Sequence, residues 1–152
     1  MLSVLGMNVN RKPPLPMLIL FPGSLGDLLC ALPAIEALAR ETFLPLALAA
    51  RGEALALASH LPFVEKKLSL EGNPFSQLFA PPAAISAEAR QFFSAFSEVV
   101  SWYGYAYPEV RKNLQQLFSG RCRSFPFFSG QADCHAAEYY RQCLGKTDLL
   151  DR

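Results

Sequence analysis

No apolar run in the chain approaches the ~20 residues that a membrane-spanning helix needs. Residues 1–16, MLSVLGMNVNRKPPLP, also lack the charged start and apolar centre of a signal peptide. A cytoplasmic protein without a transmembrane segment is expected. Charge excess is missing too: 14 basic residues stand against 13 acidic ones, and the basic ones are scattered from Arg11 to Arg152. Nucleic-acid binding normally needs a clustered basic face, so no nucleic-acid partner is expected. The four cysteines, Cys30, Cys122, Cys134 and Cys143, form no C-x-x-C pair. Cys122, Cys134, His135 and Cys143 could be assembled into a zinc set, but structural zinc sites show close pairs on tight loops, so buried reduced thiols and no metal are expected. No internal repeat and no low-complexity segment is visible.

What is plentiful is apolar. The hydrophobic fraction is 51% with 12 phenylalanines, which fits a sheet covered on both faces or apolar surface that meets a partner. At 152 residues the chain can bury roughly 70% of its unfolded surface, enough for one domain with a proper core. Residues 1–16 carry three prolines and no sustained periodicity, and read as a flexible arm preceding a domain over 17–152.

From Met17 onwards the chain alternates. Strands are predicted at about 18–21, 46–50, 64–70, 98–103 and 122–127, and helices at about 25–40, 53–61, 86–97, 108–119 and 133–145. Such alternation predicts an α/β, Rossmann-like and mostly parallel sheet flanked by helices. VEKKLSL (64–70) alternates poorly and is expected at an edge, guarded by Lys66 and Lys67. In the first helix Leu28, Leu32, Ile35 and Ala39 share a face, and Pro33 either kinks that helix or starts its main part.

Chemistry concentrates in LILFPGSLGDLLCALP, residues 18–33. G-x-G-x-x-G is absent, and so is G-x-x-x-x-G-K-[ST], which excludes both common phosphate-binding loops. What is left is a tight turn at a strand end that presents one carboxylate, Asp27, at a helix start. Ser24-Leu25-Gly26-Asp27 fits the S-x-x-D form of a capping box, which by itself accounts for the residue. Capping and base catalysis pull in different directions, because amides that stabilise a carboxylate weaken it as a base.

FPGSLGDLLCALPAIEAL, residues 21–38, resembles the opening of the heptosyltransferase family of glycosyltransferases (family nine). There a strand runs into a P-G-x-[LM]-G-D-x-L turn and a later T/L-P-A-[IL] helix. L-P-F-V (61–64), W-Y-G (102–104) and H-A-A-E-Y-Y-R-Q-C-L-G (135–145) follow in the order in which similar segments occur in that family. The resemblance covers about residues 17–145 and implies the N-terminal, acceptor-binding half of a two-domain GT-B fold. It also implies a sugar or lipopolysaccharide-core acceptor, with an ADP-activated sugar held on a C-terminal donor domain that this chain does not reach. The chain needs no cofactor of its own on that reading, and would be inactive in transfer alone. A peripheral position at the inner face of a bacterial inner membrane and initiation at Met17 are further expectations.

Asp27 matches the family's proposed base, which deprotonates the acceptor hydroxyl, and Gly23, Ser24 and Gly26 form the turn that presents it. Arg51 could hold an acidic acceptor, or is a solvated arginine before Gly52. Trp102, Tyr103 and Tyr105 could stack on sugar faces, or cover the core at a strand end. His135, behind a predicted Asp133 cap, reads as structural, and Arg111, Lys112 and Arg141 read as solvated helix faces. The rival reading is a non-catalytic Rossmann-like module that binds a small molecule or a partner protein, with Asp27 only a cap.

Overall fold

The computed structural model describes residues 13–128 and 135–150, without the side chains of 146–150. Most of the expected N-terminal arm, the Asp133 cap and Cys134 lie outside the described residues. The five strands are β1 (Met17–Leu20), β2 (Leu46–Ala50), β3 (Val64–Ser69), β4 (Glu98–Ser101) and β5 (Cys122–Ser124). The helices are α1 (Leu25–Thr42), α2 (Gly52–Ala58), α3 (Ala87–Phe93), α4 (Pro108–Leu117) and α5 (Ala136–Leu150), and two short 3-10 turns, Phe75–Phe79 and Pro82–Ala84, precede α3.

All strand pairs are parallel, and the order is β3-β2-β1-β4-β5. This is a Rossmann-like α/β domain. Every residue of β1 and β2 is buried, as the aliphatic runs LIL and LALAA require of strands covered on both faces. Met17, Ile19 and Phe21 point to a core shared with Leu28, Ile35, Ala54 and Tyr140, under α1, α2 and α5. Leu18 and Leu20 point the other way, to Phe75, Phe93, Val110 and Leu114 under the 3-10 turns, α3 and α4. The chain therefore winds β1 to β3 with its helices on one face, then crosses to the other face to build β4 and β5. The switch point lies between β1 and β4, where the strand order reverses.

β3 stands at an edge with Glu65, Lys66 and Lys67 exposed, as its poor alternation predicts. Pro33 lies inside one continuous 18-residue helix. Leu29 and Pro33 are both exposed, so the carbonyl that the missing Pro33 amide leaves without a helical donor belongs to the solvent side of α1. The strand predicted over 98–103 ends at Ser101, and the helix predicted over 86–97 ends at Phe93. Trp102 still donates its backbone N–H to Leu20 O (3.0 Å), which carries the β1–β4 ladder one residue past the strand. Among the described residues no helix is long and apolar enough to cross a membrane.

Candidate functional site

The Asp27 turn forms because β1 ends in Phe21-Pro22-Gly23 and the next residues satisfy a helix start. The capping box is complete. Ser24 N–H donates to Asp27 Oδ2 (2.9 Å), the Ser24 hydroxyl donates to the same oxygen (2.8 Å), and Asp27 N–H donates to Ser24 Oγ (3.3 Å). Both contacts to the carboxylate use Oδ2. The second oxygen, Oδ1, makes no hydrogen bond among the described residues, and Asp27 is half-buried at the C-terminal edge of the sheet. A carboxylate fixed by one oxygen and open at the other can accept a proton from a group brought to that edge.

Behind the turn sits a cluster of rings that sequence reasoning does not assemble. Phe21 packs edge-on to Trp102 (5.9 Å between ring centres) and Phe127 (5.7 Å), and tilted to Tyr140 (5.6 Å). Trp102 meets Tyr140 edge-on at 5.4 Å. Tyr140 and Trp102 are buried, and among the described residues neither Tyr140 Oη nor Trp102 Nε1 has a hydrogen-bond partner. Burial first, and the nearby Asp27 carboxylate second, push the Tyr140 phenol up, so it keeps its proton at neutral pH. Phe127 connects the cluster to the turn, since its Cζ lies 2.6 Å from where a Cβ on Gly23 would stand.

On the far side of Phe127 is a cleft of about 390 Å³. It opens at the switch point, between the segment after β1 (Pro22), the turn after β4 (Trp102 to Tyr107) and the segment after β5 (Pro126, Phe127). Open α/β sheets bind ligands in this crevice, outside the carboxyl ends of the strands. Gly104 makes the turn possible, with φ of 68° and Val110 Cγ2 only 2.9 Å from where a Cβ would stand. Tyr107 N–H donates to Gly104 O (2.9 Å) and closes it.

The structure distributes the candidate residues unevenly. Gly23, Ser24, Gly26 and Asp27 form the turn. Trp102 belongs chiefly to the buried ring cluster and touches the cleft, while Tyr103 leaves on the opposite face and packs edge-on to Phe79 (5.5 Å). Arg51 is exposed and lies close enough to Tyr103 to oppose the rise that burial gives the Tyr103 phenol. Neither Tyr103 nor Arg51 lines the cleft. Tyr105, Tyr107 and Phe127 do, and only Tyr105 stands out in the sequence, beside Trp102 and Gly104. Among the described residues no group of three His, Cys, Asp or Glu side chains could hold a metal ion.

Fold and site together define a doubly wound, Rossmann-like domain with a capped carboxylate and an aromatic cleft side by side at its switch point. Comparison with protein-family models, with curated proteins and with solved structures gives no match.

Proposed function

We propose that this chain is the acceptor-binding half of an inverting, heptosyltransferase-like glycosyltransferase of GT-B type, with Asp27 as general base. The observation that carries the reading is the free Oδ1 of an otherwise fully anchored Asp27, beside the switch-point crevice. The motif resemblance over residues 21–38 supports it. The acceptor hydroxyl gives its proton to Asp27 Oδ1 while its oxygen forms a bond to the anomeric carbon of the donor. The anomeric C–O bond to phosphate breaks on the opposite side, and the nucleoside diphosphate leaves with that electron pair. One carboxylate on the acceptor side is chemically sufficient for this step. Anchoring through Oδ2 holds the base in one orientation and so removes ordering that the reaction would otherwise need.

The donor, an ADP-activated sugar on this reading, requires a second Rossmann-like domain besides the one described. The acceptor is a sugar of the lipopolysaccharide core, met at the inner face of a bacterial inner membrane.

Asp27→Asn separates this reading from a purely structural one. In the protein together with its donor-binding domain, the variant is expected to lose on the order of 10²-fold or more in transfer. Denaturant unfolding should change by at most about 1 kcal/mol, because an amide oxygen can still accept from Ser24. Normal transfer by a well-folded Asp27→Asn protein would eliminate the base assignment. The complete capping box favours the second reading, a non-catalytic module in which Asp27 only starts α1, and that outcome would select it.

A further inference from the structure

The end of α1 departs from what a helix end usually holds. Phe43 caps it with φ of 56° and ψ of 20°, a left-handed position that glycine commonly fills. Its ring is also 89% exposed, more than any other large apolar side chain among the described residues. A strained backbone and a ring left in water are both unfavourable, and neither serves the domain core. Leu15, 49% exposed, stands beside it, because Met17 N–H donates to Pro45 O (2.8 Å) and so holds the lead-ins to β1 and β2 side by side. This apolar patch lies at the N-terminal edge of the sheet, opposite the Asp27 turn.

A groove extends the patch. Between α1 and α5 lies a space of about 190 Å³, floored by Ala34, Ala37, Leu144 and Gly145 and closed at one end by Glu41, two positions before Phe43. It is smaller than the roughly 300–1,000 Å³ of small-ligand sites, which suits aliphatic side chains rather than a metabolite. Glu41 is exposed and makes no ion pair among the described residues. A carboxylate in the last turn of a helix is disfavoured by the helix dipole, so a cation placed there would offset both charges.

We propose that the chain's own residues 1–9, MLSVLGMNV, cover Phe43 and the groove beside it. Six of the nine are apolar, namely Met1, Leu2, Val4, Leu5, Met7 and Val9, and Arg11 and Lys12 follow them. The described chain begins at Pro13, two residues before Leu15, so the segment is delivered at the patch with its two cations nearest Glu41. Reach is sufficient: the groove runs from Ala34 to the end of α1, ~13 Å at the helical rise, while residues 1–12 can span up to roughly 40 Å when extended. A short tether also gives an effective concentration on the order of millimolar, so a modest apolar contact is enough to hold the segment. The inference is independent of the role of Asp27.

Proton NMR of the full chain tests this. The Phe43 ring is expected to show nuclear Overhauser contacts to methyl groups of Leu2, Val4, Leu5 or Val9. In Phe43→Ser, and separately in Leu2→Ser/Leu5→Ser, the remaining methyls of residues 1–9 should move to the shifts of a free peptide of the same sequence. The methyl shifts of Ile19 and Ile35, both buried in the core, should stay where they are in both variants, which shows that the domain is still folded. Absence of any contact between Phe43 and residues 1–9 in the unaltered protein would overturn the proposal. So would contacts seen only between differently labelled molecules in a mixed sample, since the occupant would then be a second copy of the chain. Contacts that persist within one molecule on dilution support it.

Discussion

A Cβ placed on Gly23 would stand 2.6 Å from Phe127 Cζ and 2.8 Å from both Asp27 Cβ and Phe21 Cε2, whereas one on Gly26 would meet only Ser24 Oγ at 3.9 Å. Gly23 is glycine because three side chains close on its α-carbon. Gly26 has no such neighbour and sits at the second helical position, where glycine is weaker than alanine by roughly 0.5–1 kcal/mol. Opposite outcomes are expected. Gly23→Ala should lower the free energy of unfolding by about 1–3 kcal/mol, the usual scale of forced overpacking. Gly26→Ala should leave it unchanged or raise it by up to about 1 kcal/mol. Urea unfolding of the two variants checks both. If Gly26→Ala also reduces acceptor binding, the glycine is explained by close approach of a ligand to the backbone rather than by the fold.

At the scale of elements, α4 depends on one buried amide. Asn113 Nδ2 donates to Leu78 O and Ala80 O, both at 2.8 Å, and ties the end of the first 3-10 turn to the helix. That turn carries Phe79, whose ring meets Tyr103 at 5.5 Å and Tyr107 at 5.0 Å, so the tie also supports the rim of the cleft. Asn113→Ala leaves two carbonyls without their donor and is expected to cost about 1–3 kcal/mol of stability. Asn113→Asp should cost more, since its carboxylate would face two carbonyl oxygens in a buried place. Thermal unfolding of the pair, compared at one pH, checks the ranking. Asn113 was legible in principle: it shares the helical stripe of Val110, Leu114 and Leu117, a place where a solvated residue does not belong. The strands were legible because short aliphatic runs lie between amphipathic ones, and Lys66 and Lys67 marked the edge. Pro33 was not, because the sequence does not say on which side of the helix its missing bond falls. The ring cluster of Phe21, Trp102, Phe127 and Tyr140 was not legible either. Its members come from four separate segments that only the crossovers bring together, and no local period records that. The Ser24–Asp27 box was legible in full, since its contacts span three residues.

For the whole molecule the order of the strands decides which parts can stand alone. Met17 pairs with Leu46 on one side and with Glu98 on the other. Closing the second pairing involves a much longer loop than the first and costs about 1 kcal/mol more in chain entropy. Among the described residues the face formed by Leu18, Leu20, Ala47 and Ala49 is covered by residues from about 68 to 122. A chain cut after β3 should therefore associate rather than remain monomeric, while one that continues through β5 should not, a difference that sedimentation would detect. The central position of β1 thus has a temporal meaning. During synthesis the first strand to leave the ribosome gains neighbours early on one flank and late on the other. The sheet waits half-clothed until α4 arrives, so the carboxylate turn can be in place well before the β4 turn that builds the crevice beside it.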